Sequence, residues 1–368
     1  MIAPIASVNT VENVVICGAG VIGTSIAYHL AKLSESNMSI TVIDPVGLAP
    51  AASGKAGGFL ALDWNAGPLD QLSRRSFYLH EQLAKDLGLD DKCYRRLSCE
   101  AVAVDGSTNR VPSQKKLQAV QWADIGVVGS RCIGTTETIA QTHPKVFVEA
   151  LWREAQKMGC KMQQGTVEDI ILEEAEKGKK CTGVRLVDGA EVKADTVVVA
   201  MGPWSSNIPS IKIPQMYGQK YHSAILKPDR VLDQAVFFQG LGDPEVYPRP
   251  DGDVYVCGFP DSPTIVNEKP GNVEVRPEAV DRLINVAGKV SSELENAEVV
   301  REKCSSCYLP VTSSGLPLMG PIPFAKGAFI ATGHSCWGIL NAPASGEAMA
   351  ELIIKGKTTH VDLTNFLP

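Results

Sequence analysis

A glycine-rich turn near the N-terminus constrains the fold of this chain more than any other feature of the sequence. Residues 14–17 form a short apolar run, and the sequence GAGVIG follows directly at residues 18–23. Apolar residues then recur at helical spacing over residues 24–33, and a second apolar run over residues 39–44 ends in Asp44. This strand–helix–strand pattern of about 30 residues is typical of an α/β fold that binds a dinucleotide.

Each part of the GxGxxG motif has a physical role in such a site. Gly18 allows the tight turn, Gly20 lets the backbone approach a pyrophosphate, and Gly23 lets the helix pack closely on the strand. The free N–H groups and the positive dipole at the start of the helix favour phosphate. Asp44 follows at about the spacing expected for the acid that binds the ribose hydroxyls. The motif therefore predicts a dinucleotide, and by itself leaves NAD and FAD open.

Charge and composition exclude several other classes of protein. The formal net charge is −6, whereas a chain that binds nucleic acid is normally basic, so no nucleic-acid partner is expected. No apolar run approaches the ~18 residues of a transmembrane segment. Because the N-terminal residues have neither part of a secretory signal, the expected location is cytoplasmic. Cys304 and Cys307 form a CxxC without a second ligand pair, so no metal is expected.

The spacing of apolar residues and turns along the rest of the chain predicts two domains. Helices are predicted over residues 24–33, 73–87, 113–121, 144–158, 277–290 and 344–355. Residues 222–300 alternate strand-like runs with proline-rich turns, which favours an antiparallel sheet. We predict a Rossmann-type cofactor domain from residues 1–90, 136–221 and 301–368. An α+β substrate domain built on an antiparallel sheet, from residues 91–135 and 222–300, is inserted into it.

Six further motifs follow in order along the chain. They are SGKAGG at residues 53–58, Val167, AMGPW at 200–204, YPRPDG at 247–252, LPLMG at 316–320 and GHSCWGI at 333–339. Together with the first motif they resemble the FAD-dependent D-amino-acid-oxidase superfamily, which includes glycine oxidase, sarcosine oxidase and fructosyl amino acid oxidases. The resemblance covers nearly the whole chain. It implies FAD as the cofactor and a small amine or amino acid as the substrate.

The resemblance also implies which residues bind FAD. These are Gly18, Ala19, Gly20, Val21, Ile22, Gly23, Asp44, Pro45, Ser53, Gly54, Lys55, Ala56, Gly57, Gly58, Val167, Ala200, Gly202, Trp204, Gly333, His334, Ser335, Cys336, Trp337, Gly338 and Ile339. The last seven match a stretch that contacts the flavin ring in relatives. A strand-to-helix turn at residues 333–346 would direct N–H groups and a helix dipole to the negative charge at N1 and O2 of a reduced flavin.

Candidates for substrate contacts are Lys55, Arg249, Tyr255, His334 and Trp337. Arg249 is the natural partner of a substrate carboxylate, because arginine binds carboxylates through two N–H groups; the alternative is a structural arginine. By its spacing, Cys307 matches the position where sarcosine-oxidase relatives attach the flavin covalently, and a buried small thiol is the alternative. No catalytic acid–base pair is assigned. Hydride transfer from the substrate α-carbon to flavin N5 needs a positioned neutral amine rather than a strong base.

Two departures from the family pattern leave open both the electron acceptor and whether the substrate is acidic. Sarcosine-oxidase relatives place a lysine that helps to activate oxygen in the strand matching residues 254–257, and this strand has none here. They place another, for the substrate carboxylate, where Leu340 stands. The acceptor is therefore oxygen or another molecule. The oligomeric state is not indicated by the sequence.

Two other functions remain consistent with the sequence. The strings CYLP at residues 307–310 and GHSCWGI at 333–339 are similar to a subgroup of mostly uncharacterised eukaryotic FAD-dependent oxidoreductases. A yeast member of that subgroup is tied to endosomal trafficking, which implies a flavoprotein with a mainly regulatory role as one alternative. An NAD(P)-dependent dehydrogenase is the other, because GxGxxG alone does not exclude it.

Overall fold

The computed structural model describes residues 12–368 except 36, 90, 92, 108–119 and 177. The helices are α1 (Val21–Leu33), α2 (Ala52–Lys55), α3 (Pro68–Asp86), α4 (Pro144–Lys157), α5 (Pro277–Val290), α6 (Ser292–Glu295) and α7 (Gly338–Lys355). The strands are β1 (Asn13–Cys17), β2 (Ser39–Asp44), β3 (Phe59–Ala61), β4 (Tyr94–Arg96), β5 (Ser98–Val104), β6 (Val127–Gly134), β7 (Ile139–Thr142), β8 (Lys161–Gln164), β9 (Val167–Glu174), β10 (Lys179–Leu186), β11 (Glu191–Lys193), β12 (Thr196–Val199), β13 (Tyr217–Lys227), β14 (Gln234–Gln239), β15 (Glu245–Pro248), β16 (Val254–Gly258), β17 (Glu298–Val299), β18 (Ser305–Val311), β19 (Leu318–Pro321), β20 (Ala325–Lys326) and β21 (Ala328–Thr332).

The strand–helix–strand unit at the N-terminus forms the centre of a six-stranded sheet. Its order is β19-β21-β12-β1-β2-β8, with every neighbouring pair parallel except β19 and β21. Successive side chains of β1 point to opposite faces. Val14 and Ile16 pack with α1, α3, α4 and α7, whereas Val15 and Cys17 pack with β9 and β10. The predicted Rossmann-type α/β fold is confirmed.

A second sheet of eight strands carries the other large core. Its order is β17-β13-β16-β15-β14-β5-β6, and β18 also pairs with β13. Its pairs are antiparallel except β5 and β14, which are parallel. Val236, Val246 and Val256 pack against α5 on one face of this sheet. The neighbouring residues in the same strands point to the opposite face, which carries aromatic side chains.

Two predicted helices differ from the observed ones at their starts. α3 begins at Pro68 rather than at residue 73, because proline is well suited to the first turn of a helix. α7 begins at Gly338 rather than at residue 344, and Pro343 lies inside it. The prediction is wrong there because a tertiary contact, described below, replaces the hydrogen bond that Pro343 cannot make. The predicted helix over residues 113–121 falls mostly outside the described residues.

The two predicted domains share strands of the second sheet. β13 extends across the predicted boundary at residue 222, and β18, which follows the boundary at residue 301, pairs with β13 over its whole length. The division into a cofactor domain and a substrate domain stays a prediction. Among the described residues, no helix is long and apolar enough to cross a membrane. The expected cytoplasmic location also stays a prediction.

Candidate functional site

A cavity of about 510 Å³ lies beyond the carboxyl ends of the central strands, where β1, β2, β12 and β21 end. Ligands of open α/β sheets bind at this edge. The predicted FAD contacts that line the cavity are Gly18, Gly20, Val21, Ile22, Asp44, Pro45, Ser53, Ala56, Val167, Ala200, Gly202, Trp204, Gly333, His334, Ser335, Cys336, Gly338 and Ile339. The predicted contacts that are not part of the lining are Ala19, Gly23, Gly54, Lys55, Gly57, Gly58 and Trp337.

The turn before α1 is shaped by close backbone packing. Gly18 has φ +109°, and a Cβ there would lie 2.4 Å from the carbonyl oxygen of Ala200. A Cβ on Gly23 would lie 2.0 Å from the carbonyl oxygen of Gly18. Gly20 is the N-cap residue of α1, and the N–H of Val21 donates to Oγ of Ser53 at 2.9 Å. Gly20, Val21, Ile22 and Ser53 all line the cavity, so the start of the helix faces it. A helix N-terminus in this position suits the pyrophosphate of a dinucleotide.

Three backbone N–H groups hold the carboxylate of Asp44 at the cavity wall. Ala19 donates to Oδ2 at 3.0 Å, and Val46 and Gly47 donate to Oδ1 at 2.9 and 3.0 Å. The carboxylate is therefore fixed in orientation at the end of β2. It is buried and lines the cavity. This is the arrangement in which an acid accepts hydrogen bonds from ribose hydroxyls.

The start of α7 forms another part of the wall of the same cavity. Ser335–Trp337 is a single 3₁₀ turn, and α7 continues from it at Gly338. His334 is buried, and its Nε2 lies 3.0 Å from Oγ of Ser345. Burial lowers the pKa of His334 to about 3, so the ring is neutral at physiological pH. The helix start, and not a charged histidine, supplies the positive potential here.

The structure places two basic substrate candidates against the backbone. Arg249 is buried; its Nη2 donates to the carbonyl oxygen of Ala56 at 3.0 Å, and its guanidinium lies 5.4 Å from the centre of the Tyr255 ring. Lys55 donates through Nζ to the carbonyl oxygen of Ser306 at 3.0 Å. Neither side chain belongs to the cavity lining. Both contacts attach the glycine-rich loop at residues 53–58 to the second sheet.

Cys307 lies in β18 with its side chain buried. Burial raises the pKa of its thiol to about 11, and the charge of Lys55 opposes this shift. The thiol is therefore protonated near neutral pH. The three residues that follow it, and not Cys307 itself, belong to the cavity lining.

An aromatic cluster lies beside the start of α7. We define it as Phe59, Trp64, Phe237, Tyr247 and Trp337. The rings of Phe59 and Tyr247 stack at 5.3 Å, and those of Trp64 and Trp337 meet edge-on at 6.4 Å. Tyr255 extends the cluster by stacking on Tyr247 at 6.0 Å. The cluster thus joins the 3₁₀ turn of the cavity to the aromatic face of the second sheet.

Sequence reasoning missed a carboxylate in this region. Glu245 is partly buried at the start of β15, and its Oε2 accepts hydrogen bonds from the Tyr247 hydroxyl and, at 3.6 Å, from Sγ of Cys257. Desolvation raises the pKa of Glu245, although both hydrogen bonds oppose this. Because alternate residues of a strand share one face of the sheet, the sequence EVY in β15 places Glu245 on the same face as Tyr247. Which face adjoins the cavity depends on the packing of the whole sheet.

Comparison with known proteins decides between the dinucleotides. A model of the DAO family, described as FAD dependent oxidoreductase, matches residues 13–352. The chain belongs to this family. It is an FAD-dependent oxidoreductase, and the alternative of an NAD(P)-dependent dehydrogenase is wrong. The resemblance in the sequence motifs is thereby confirmed.

Similar proteins are found both among sequences and among solved structures. The chain is 28% identical to a putative oxidoreductase of Schizosaccharomyces pombe, with 96% of each chain covered. It is 26% identical to the putative oxidoreductase TDA3 of Saccharomyces cerevisiae, with 97% of this chain and 94% of the yeast protein covered. The crystal structure of glycine oxidase from Geobacillus kaustophilus superposes with a TM-score of 0.80 at 22% identity, covering 97% and 98% of the two chains.

Proposed function

We propose that this DAO-family protein oxidises the C–N bond of a small amine or amino acid to an imine. The observation that carries the proposal is the aromatic cluster, which borders the 3₁₀ turn Ser335–Trp337 at the end of the cofactor cavity. Aromatic side chains at such a position exclude water and orient an organic substrate. The similarity in fold to a glycine oxidase agrees with this reaction class.

We infer that the residues lining the cavity hold FAD along its length. The start of α1 would hold the pyrophosphate, and Asp44 would accept hydrogen bonds from the ribose. When bound, FAD would supply the acceptor for the hydride that leaves the α-carbon of the substrate. The N–H groups at the start of α7 stabilise negative charge at another part of the cavity wall. Arg249 and Lys55 position the loop at residues 53–58 through its backbone.

The electron acceptor that reoxidises the protein is oxygen or another molecule. β16 has no lysine, and Leu340 is fully buried in the helical core. The first position therefore offers no cation to activate oxygen, and the second offers none to a substrate carboxylate. Reoxidation by air and by an artificial dye should be compared on the same reduced sample; a rate that depends on the dye alone would identify a dehydrogenase.

The reaction class is tested by anaerobic mixing with a panel of compounds. The panel contains D- and L-amino acids, N-methyl amines and glycated amino acids, and the flavin absorbance reports reduction. We expect at least one amine to bleach the flavin, and the matching alcohols to leave it unchanged. If the flavin of the purified protein is intact and no amine bleaches it, amine oxidation is contradicted. The alternative of a regulatory flavoprotein would then be favoured.

A further inference from the structure

One face of the second sheet combines aromatic side chains with the carboxylate of Glu245. Glu245 is the cross-strand partner of Phe237 and of Cys257, and Tyr247 is the partner of Tyr255. Cross-strand partners share a face, so these side chains lie together. The same face meets the aromatic cluster beside the cavity. A carboxylate in such surroundings requires an explanation, because burying a charge is costly unless the charge is paired.

Glu245 has no cationic partner among the described residues. No lysine, arginine or histidine of the described chain lies within ion-pair distance of it, and both of its hydrogen bonds go to Oε2. Arg249 and Lys55, the basic side chains of the nearby loop contacts, point to backbone oxygens instead. Oε1 is thus left without a protein donor, and the side chain is only partly buried. The carboxylate is available to a positive group from outside the chain.

The rings around Glu245 favour the same kind of group. Tyr247 donates its hydroxyl to the carboxylate, and its ring stacks between Phe59 and Tyr255. The rings of Trp64, Phe237 and Trp337 in the same cluster are only partly buried. The faces of aromatic rings attract ammonium ions, and alkylated ammonium groups are recognised by cages of such rings. A carboxylate beside several rings therefore selects an alkylammonium over a neutral alkyl group.

The charge of Glu245 also reaches the cofactor cavity. Cys336 lines the cavity in the 3₁₀ turn at the start of α7. Desolvation, followed by the charge of Glu245, raises the pKa of the Cys336 thiol. A group bound at Glu245 is therefore close to the end of the cavity where the aromatic cluster begins.

We propose that Glu245 and the aromatic cluster bind a positively charged ammonium group of the substrate that is distinct from the amine being oxidised. The oxidised nitrogen must be neutral to release a hydride, whereas the Glu245 subsite selects a charged group. The substrate class is then a diamine or an amino acid with a basic side chain. This inference rests on the proposed function, and it goes further by naming the substrate class.

Binding of a simple cation tests the subsite without any turnover. Tetramethylammonium is titrated into the flavin-loaded protein and followed by calorimetry. We expect saturable binding that Glu245→Gln weakens by roughly ten-fold or more and that Glu245→Asp, which keeps the charge, largely retains. Glu100→Gln is the control, because Glu100 is a carboxylate of the same sheet whose cross-strand partner Val236 packs on the opposite face. Absent binding, or equal binding in Glu245→Gln, overturns the inference.

A comparison of a diamine with a matched monoamine distinguishes the Glu245 subsite from amine oxidation itself. An N-methyl diamine is compared with an N-methyl monoamine of equal chain length by the rate of anaerobic flavin reduction. We expect the diamine to have the higher kcat/KM by roughly ten-fold or more, and the advantage to vanish in Glu245→Gln through a higher KM. If both amines reduce the flavin equally in both proteins, the inference fails and amine oxidation stands. If tetramethylammonium binds through Glu245 and no amine reduces the flavin, amine oxidation fails and the cation subsite stands.

Discussion

The imidazole Nε2 of His80 lies 2.8 Å from the carbonyl oxygen of Ile339, which is four residues before Pro343. In a regular helix this oxygen accepts from the N–H of residue 343, and proline has none. His80 also lies 3.2 Å from the carbonyl oxygen of Leu340. Because both neighbours are acceptors, Nε2 carries the proton and donates. This contact lets α7 begin at Gly338, beside the cofactor cavity, rather than after the proline.

Removing the His80 donor should therefore loosen the start of α7. We expect His80→Ala to lower the free energy of unfolding by about 2–4 kcal/mol, because it leaves a buried carbonyl oxygen without a partner and opens a cavity. FAD affinity should fall as well, since Ser335, Cys336 and Gly338 line the site. Thermal unfolding and the flavin-to-protein ratio report the two effects. The exposed His360→Ala is the control, and equal behaviour of the two variants would contradict the role of His80.

Three histidines, of which His80 and His334 are buried and His29 is partly buried, predict a loss of stability in mild acid. Burial is the main cause that lowers the pKa of His29 and of His80 to about 4 and that of His334 to about 3. Each ring is neutral in the folded state, whereas the unfolded chain binds a proton below about pH 6.5. The stabilisation is fully present above pH 6.5 and is lost progressively as the pH falls towards 4 or 3. The loss of unfolding free energy is on the order of 3–5 kcal/mol for each histidine by the time the pH reaches its folded-state pKa.

Urea unfolding measured from pH 7.5 to pH 4.5 checks how the free energy of unfolding depends on pH. We expect a steep fall in the free energy of unfolding below pH 6.5. His29→Gln removes one titrating group and should flatten the profile, while His360→Gln should not. A profile that is level between pH 7 and pH 5 would show that these rings are protonated in the folded state or are accessible to water.

A methyl group at Gly20 should weaken FAD binding more than it weakens the fold. A Cβ on Gly20 would lie 3.0 Å from Oγ of Ser53, at the point where the start of α1 opens into the cavity. We expect Gly20→Ala to raise the Kd for FAD by roughly ten-fold or more, because it blocks close approach of the pyrophosphate. Gly129→Ala in β6 is the control, since a Cβ there meets nothing within 4 Å. Reconstitution of the apoprotein with FAD measures both affinities, and equal values would contradict the assignment.

Gly346 is required for the contact between α1 and α7. A Cβ at this position would lie 2.3 Å from Oγ and 2.6 Å from the carbonyl carbon of Ser25. We expect Gly346→Ala to lower the free energy of unfolding by about 1–3 kcal/mol, because the added methyl group forces the two helices apart. Gly288→Ala in α5 is a matched helical control, because its nearest neighbour would be at 3.4 Å. We expect Gly288→Ala to raise the free energy of unfolding by up to about 1 kcal/mol, because alanine favours the helical conformation more than glycine does. Urea unfolding of both variants distinguishes overpacking from propensity.

Acid precipitation tests the candidate covalent link at Cys307. The thiol is buried, burial raises its pKa to about 11, and it is not part of the cavity lining. We therefore expect the flavin colour to be released into the supernatant. Colour that stays with the pellet, and is released by Cys307→Ser, would instead demonstrate attachment at this position.

The sequence by itself determined the Rossmann-type fold and pointed to FAD. FAD came from the resemblance of the later motifs, whereas the evidence for the fold is local. The roles of Gly18, Gly20 and Gly23 follow from the absence of a Cβ within one turn, and Asp44 is placed by the length of one strand–helix–strand unit. The observed clashes of a Cβ at Gly18 and Gly23 agree with those roles. Short-range sterics of this kind can be deduced from neighbouring residues alone.

Only the tertiary structure decided how the region beside the cofactor is built. Arg249 has the right chemistry for a substrate carboxylate, yet its guanidinium holds the backbone of Ala56, which is distant in sequence. The start of α7 depends on His80 in another helix, and the exposure of Glu245 depends on which face of its sheet is packed against α5. These contacts join residues far apart in the chain. Local propensity does not encode them, because they arise when the sheets and helices pack together and buried polar groups must find partners.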